Sequence, residues 1–396
     1  MSFFTDISTE MIYPLIPLFL TGVLGANATF VGAIEGTAET VASLLKLASG
    51  WIADRVSRRK LLIVAGYGIS SFIRPFTAIA QSATQVLAIR VSDRVGKGIR
   101  TSPRDALLAD SVNADVRGRA FGFHNAADNA GAVVGPLLAF FILRSHGVGT
   151  LQPGQHLVGA PESALRNVFW LAAIPAFIAL IVLLVAVRDV ARKPAAATGA
   201  KEEAGVPGLD TRLSRRFWYY LVVVLIFTLG NSTDAFLLLR ASQLGVAVAL
   251  APVLWALFNF IKAAVGTYAG GLSDRIGRRP LIIGGWLVYA AVYLAFAGAT
   301  RAWHAWALFA VYGIFYAMTE GTERALVADI VPSQRRGSAY GWYNLAIGLG
   351  ALPASLIFGA IWDRVNPAAA FMFGATLALI AAAGMAFVAP GKQRAA

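Results

Sequence analysis

Gly50-Trp51-Ile52-Ala53-Asp54-Arg55-Val56-Ser57-Arg58-Arg59-Lys60-Leu61 is a short basic turn between two long apolar runs. It returns as Gly270-Gly271-Leu272-Ser273-Asp274-Arg275-Ile276-Gly277-Arg278-Arg279-Pro280-Leu281, 220 positions later. A second pair sits beside the first. Residues 106–125 and 325–344 are identical at ten of twenty positions, at an offset of 219. Two matches at half the chain's length describe one unit written twice.

Composition says where that unit lives. The 396 residues are 57% hydrophobic and 14% charged, with a mean hydropathy of +0.65. A soluble domain is about 45–50% apolar and about 25% charged, so the chain reads as a polytopic membrane protein. A bilayer core needs about 20 helical residues per crossing. Candidate spans 1 to 6 fall near 3–24, 29–52, 60–80, 83–108, 117–144 and 166–187. Spans 7 to 12 fall near 216–240, 248–272, 280–299, 302–330, 337–362 and 367–389. Runs this long are helices, because a barrel strand needs only about 10 alternating residues. The expected fold is an all-α membrane protein with two pseudo-symmetric six-helix bundles, 1–187 and 216–396. A charged, Ala/Gly-rich linker, 188–215, joins them.

Charge gives the orientation. Turns 53–60, 94–119, 188–216, 273–279 and 333–337 are rich in Arg and Lys, whereas 25–28, 81–85 and 241–247 carry none. The positive-inside bias therefore predicts both termini and the linker in the cytoplasm, and an inner-membrane location. The net charge of +13 comes from these turns and forms no continuous basic face, which argues against nucleic acid as a partner. Without cysteine there is no disulfide frame or thiolate metal site. No phosphate-cradling Gly-x-x-x-x-Gly-Lys-Ser/Thr loop and no paired-His metal spacing occur. Neither a cofactor, a metal nor an enzymatic activity is expected. Span 7 opens with Phe217-Trp218-Tyr219-Tyr220 ahead of the segment matching Met1, which predicts a native start upstream of Met1.

The repeated turn, Gly-x-x-x-Asp-Arg-x-x-Arg-Arg-x-Leu, resembles the cytoplasmic-loop signature of the major facilitator superfamily. Gly122, Gly131, Gly135 and Pro136 on span 5 resemble its antiporter motif, with Ala139 and Phe140 where a Gly-Gly is usual. Pro14 and Pro17 are similar to a further exporter motif. The resemblance implies a monomeric secondary transporter. It would move a small solute by alternating access, through proton-coupled efflux. In this fold substrate sites lie at the repeat interface near the midplane.

An ionisable side chain within a span costs at least about 2.5–3.5 kcal/mol and needs a partner or a wet cavity. Glu10 on span 1 and Asp234 on span 7 fall near mid-depth of their halves, as candidates for proton coupling. Glu35, Glu39 and Lys46 share a stripe about 40° wide on span 2, and Glu39 is the expected cavity acid. Arg90, Arg94, Lys97 and Arg104 share a wedge about 80° wide on span 4. They read either as a cationic stripe for an organic anion, the alternative substrate class, or as a gate lock pairing with Asp93, Asp105, Asp110 and Asp54. His124 and Asp128 stand one turn apart on span 5, beside Asn125, whose repeat partner is Asn344. Glu320 on span 10 and Asn259 on span 8 complete the expected cavity set. The expected cytoplasmic gate is Gly50, Asp54, Arg55, Arg58, Lys97, Arg104 and Asp110 in one half. In the other it is Asp274, Arg275, Arg278 and Asp329. Gly122, Gly131, Gly135 and Pro136 are expected to serve helix packing.

Overall fold

The computed structural model describes residues 1–53, 59–112, 117–148, 157, 159–187, 213–332 and 336–388. Among these, twelve rods form. Spans 1 and 7 break within the layer they cross, and span 6 is interrupted more mildly at Ala172. Span 1 is α1 (Ser2–Ile12), a 3-10 turn (Tyr13–Leu15) and α2 (Ile16–Gly22). Pro14 and Pro17 each lack the N–H that a continuous ladder needs. Span 7 is α9 (Arg215–Gly230) and α10 (Ala235–Gln243), with Asn231–Asp234 unwound between them.

The other rods follow the expected order. They are α3 (Ala28–Ala53), α4 (Arg59–Ile73) with a 3-10 extension (Arg74–Ile79), α5 (Ala83–Asp110), α6 (Arg117–Ser145), and α7 (Ala160–Leu171) with α8 (Ala173–Ala186). The second half adds α11 (Ala251–Ile276), α12 (Arg278–Gly298), α13 (Ala302–Ile330), α14 (Arg336–Arg364) and α15 (Pro367–Phe387). Side chains start several of them. The Ser82 hydroxyl accepts from Gln85 N–H at 3.3 Å, and Asn366 Oδ1 accepts from Ala369 N–H at 2.7 Å. Eight rods are long and apolar enough to cross a bilayer by length and hydropathy. Large apolar side chains such as Phe72, Phe141, Val185 and Phe387 point outward, the reverse of a soluble surface and suited to lipid.

The packing repeats. In the first half α1 lies on α6 and α8, α3 on α5, and α4 on α5 and α8. In the second, α9 lies on α14 and α15, α11 on α13, and α12 on α13 and α15. The register repeats as well. A methyl group on Gly66 would stand 2.6 Å from the Gly96 carbonyl oxygen, and one on Gly285 would stand 3.7 Å from that of Phe315. Both pairs are related by 219 positions. Two six-helix bundles of the same design result, as expected. The linker expected at 188–215 lies almost wholly outside the described residues.

The bundles meet along α3 with α14, α6 with α11, and α2 with α10. One end of this seam is tightly closed. A Cβ on Gly359 would lie 2.7 Å from Thr29 Cα, and one on Gly36 would lie 2.8 Å from Leu352 Cα, so only glycine permits that approach. Asp363 Oδ1 accepts from Ala28 N–H at 3.1 Å, and Oδ2 accepts from Thr29 N–H at 2.7 Å and from its hydroxyl at 2.6 Å. One carboxylate of the second half thus caps the helix that opens span 2 of the first.

Candidate functional site

Beneath this seal lies a cavity of about 460 Å³ between the bundles. It is lined from Tyr13, Asp234 and Ser355 at mid-depth down to Asp6, Lys46 and Arg324, near the ends of α1, α3 and α13 on the Met1 face. A second hollow of about 350 Å³, lined in part by Thr21, Gln243 and Asp363, lies on the far side of the seal. The main cavity is therefore shut towards the 25–28 turn and extends towards the Met1 face.

The two broken spans deliver the two acids. Glu10 sits in the last turn before the Pro14 break, and Asp234 in the unwound Asn231–Asp234 segment. Both line the cavity. Trp255 on α11 donates its indole N–H to Glu10 Oε2 at 2.6 Å, a bond from one bundle to the other. Asp234 Oδ1 accepts from Tyr312 at 2.6 Å, and Oδ2 accepts from Tyr316 at 3.2 Å, both on α13. Each carboxylate thus has one wall of donors and one open side. Of the seven acids lining the cavity, Asp6, Glu10, Glu35, Glu39, Asp234, Glu320 and Glu323, all except Asp234 lie on α1, α3 and α13.

Most other charges are paired. Glu39 stands 3.8 Å from Lys46, and Glu320 pairs with Lys262 of α11 at 2.9 Å. Glu323 is buried and accepts from Trp286 at 2.9 Å and Tyr343 at 2.7 Å. Arg90 does not line this cavity. It makes a two-pronged bond to Glu35 at 2.9 and 2.7 Å, with both residues buried. Arg74 donates from Nε to Asp93 Oδ1 at 2.8 Å and from Nη1 to the Thr5 carbonyl and the Ser8 hydroxyl. Arg100 bonds Ser70 at 2.6 Å and lies 4.5 Å from the centre of the Tyr67 ring. Arg94 differs from all of these. It is 7% exposed, lines the cavity, and its Nε has no hydrogen-bond partner.

The remaining expected residues divide clearly. Glu39, Glu320, Asn344 and Lys97 line the cavity, so Lys97, expected in the gate, belongs to the wall. Asn259 is buried, bonds the Trp255 carbonyl one turn back on its own helix at 3.1 Å, and does not line the cavity. His124 Nε2 stands 3.5 Å from Asp128 Oδ2 but is not hydrogen-bonded to it, and both lie off the cavity wall. Asn125 is exposed there too.

Gly131 and Gly135 seat α6 against the backbone of α1, at Phe3 and Ile7, and Pro136 lies within the same helix. A methyl group on Gly122 would meet nothing within 4 Å among the described residues. Of the expected gate, Asp54, Arg55 and Arg58 lie outside the described residues, as do the side chains of Asp110 and Asp274. Gly50 meets Ser102 of α5. Arg104 bonds Asp105 at 3.0 Å and Ser2 at 3.2 Å. Arg278 bonds Ser273 and Asp329, the latter at 3.4 Å, while Arg275 is exposed. These bonds stay within one bundle.

The major facilitator superfamily model matches residues 1–351 and again 235–396. The chain belongs to the major facilitator superfamily. An uncharacterized MFS-type transporter of Methanocaldococcus jannaschii is 31% identical over 395 residues, covering 98% of this chain and 92% of that protein. An uncharacterized protein of Mycobacterium tuberculosis is 30% identical over 347 residues, covering 87% and 80%. Among solved structures, a D-xylose-proton symporter superposes with a TM-score of 0.75 at 17% identity, covering 100% of this chain and 97% of that one. A superfamily member with this fold is a secondary transporter that works by alternating access, moving a small solute across a membrane.

Proposed function

We propose that this transporter couples solute movement to protons, with Glu10 and Asp234 as the coupling carboxylates. One observation carries the reading. The Trp255–Glu10 bond, at 2.6 Å, ties α11 of one bundle to α1 of the other across the solute cavity. Protonating Glu10 removes the charge that strengthens this bond, so the proton load and the bond between the bundles are one variable. Asp234 is placed to answer at the corresponding break in the second half, where two tyrosines hold it. A proton or a solute that favours one state shifts the equilibrium by its difference in affinity between the two.

The basic turns support a cytoplasmic Met1 face, so the cavity opens inward in this conformation, in an inner-membrane location. Solute would load there and leave outward as a proton enters. Export is favoured by the antiporter-like segment of α6, whose Gly131 and Gly135 seat on α1 beside Asp6 and Ile7. Small solute and protons are the partners, and the transporter works as a monomer.

The test uses proteoliposomes loaded with a pH-sensitive dye and challenged with panels of small organic anions and lipophilic cations. Solute-driven proton movement is expected in the wild type and absent in Glu10→Gln and Asp234→Asn. Proton movement at wild-type rate in both variants would refute the coupling.

A further inference from the structure

We infer that Arg94 and Lys97 form an anion-binding subsite on the cavity wall, and that the transported solute is a small organic anion. This deepens the transport reading above and rests on it.

The argument is a charge inventory of span 4 and its neighbours. Four arginines of the first half, Arg74, Arg90, Arg94 and Arg100, are each at most 7% exposed. Arg74 has Asp93, Arg90 has Glu35, and Arg100 has a tyrosine face and a serine hydroxyl. Arg94 has no ion pair among the described residues, and its Nε is an unsatisfied donor. Asp93 and Glu39 lie near enough to act on Arg94 electrostatically, yet neither bonds it, and a buried guanidinium donor left unbonded is costly unless a ligand completes it. Lys97 is one turn further along α5, on the same face, and also lines the cavity without an ion pair among the described residues. Two cations at i and i+3 repel each other. A carboxylate or phosphoryl group set between them would satisfy both. The guanidinium fork would fix its orientation, and the ammonium would add a point charge.

The facing wall suits the rest of such a molecule. Asn231 on the unwound segment offers an amide whose Oδ1 has no partner, and Asn344 lines the same wall. Trp255 and Tyr316 supply apolar surface nearby. Across from the cations the acids are engaged: Glu320 with Lys262, and Glu323 with Trp286 and Tyr343. A lipophilic cation would meet Arg94 and Lys97, which Glu39 and Asp6 offset only in part, Glu39 being shared with Lys46. A volume of about 460 Å³ holds a solute of one ring or a short chain, within the usual range for small-molecule sites.

The experiment measures binding to purified wild-type protein in nanodiscs, by thermal shift and isothermal titration at fixed ionic strength. The probes are benzoate, succinate, phenyl phosphate, tetraphenylphosphonium, and sulfate as an inorganic control. At least one organic anion is expected to bind saturably. Arg94→Gln and Lys97→Gln should each weaken it at least tenfold, with Arg94→Lys falling between. Whichever of benzoate and phenyl phosphate binds tighter identifies the acidic group.

Three results would overturn the inference. One is binding of tetraphenylphosphonium with no organic anion bound. Another is anion affinity unchanged in Lys97→Gln and Arg94→Lys, which are the milder variants should Arg94→Gln fail to fold. The third is sulfate matching the best organic anion, which marks a resident counter-ion only. Glu10→Gln should keep anion binding while losing proton movement, so failure of the subsite and failure of the coupling read out separately.

Discussion

The layer between spans 3 and 4 and the layer between spans 9 and 10 occupy the same place in the two bundles, yet opposite chemistry fills them. The shared offset of 219 sets Tyr293 opposite Arg74 and Tyr312 opposite Asp93. In the first half these positions hold a buried ion pair at 2.8 Å, flanked by the Arg90–Glu35 pair. In the second they hold a ladder of rings: Tyr289 on Tyr293 at 4.1 Å, Tyr293 to Tyr312 at 6.5 Å, and Tyr312 to Tyr316 at 5.3 Å. The one acid the ladder serves, Asp234, is held by hydroxyls and not by a cation. The same scaffold therefore packs one bundle around a directional ion layer and the other around an adaptable layer of rings. Each layer reaches the cavity at its margin, through Glu35 and Arg94 on one side and Tyr316 on the other.

The largest effect should come from breaking the ionic layer at one member. Asp93→Ala leaves Arg74 buried without its carboxylate and removes a charge 4.0 Å from Arg90. The expected cost is about 3–5 kcal/mol, because an uncompensated charge remains. It should appear as a large fall in the thermal unfolding midpoint in detergent. The counterpart change, Tyr312→Phe, removes one hydroxyl bond while Tyr316 still holds Asp234, and should cost about 1.5–3 kcal/mol. Replacing both members, Arg74→Met with Asp93→Leu, should recover much of the loss, since no charge is stranded. A double variant as unstable as Asp93→Ala would mean that the pair stabilises the fold outright, and the two layers would then differ in strength as well as in chemistry.

Much of this was legible in one dimension, and the reason is periodicity. Repeat offset, span length and turn charge are local or simply periodic, so the rods, the doubling and the two mid-depth acids could be read directly. Arg90 was misplaced for a geometric reason. A helical wheel gives azimuth only, and Arg90 shares the azimuth of Arg94 but lies one turn away along α5, beside Glu35. Lys97 moved from gate to wall for the same reason. Trp255, Lys262, Tyr312 and Tyr316 were missed because their roles depend on which span faces which. A signal existed in two cases. Lys262 is a single charge in an apolar stretch of span 8, and Tyr312 and Tyr316 repeat at i and i+4 on span 10. The Arg74–Asp93 pair joins spans 3 and 4 and needs the fold to be seen.

The closed end of the seam extends the comparison, with a smaller expected effect. Asp363 caps α3 across the interface, but the offset of 219 places Arg144 at the matching point of α6. The helix that matches α3, α11, has no side-chain cap at Leu250. The latch is therefore one-sided. Asp363→Asn removes the charge and keeps the shape, for about 1 kcal/mol of lost favour for the closed end. That is about a fivefold shift in the ratio of closed to open forms. Because the native chain has no cysteine, a single Thr21→Cys reports the change. Its rate of modification by a membrane-impermeant thiol reagent should rise several-fold in the Asp363→Asn background. An unchanged rate would show that the glycine contacts at Gly36 and Gly359 hold this end without the carboxylate.

The subtlest change would make the latch symmetric. Arg144 is exposed at the last turn of α6, and α6 packs against the 3-10 turn Val248–Leu250 that leads into α11. Arg144→Asp removes a cation from the C-terminal end of its own helix, where cations are favoured, and brings an acid towards the uncapped start of α11. The two effects oppose each other at about 0.3–1 kcal/mol each. Thermal stability should therefore barely move, while the closed end gains. Modification of Thr21→Cys should slow by at most about fivefold, and the slowing should shrink as salt rises, since an exposed charge at a helix end is screened. Faster modification would mean that Arg144 already contributes to closure, and that the two halves of the closed end are held by unlike charges.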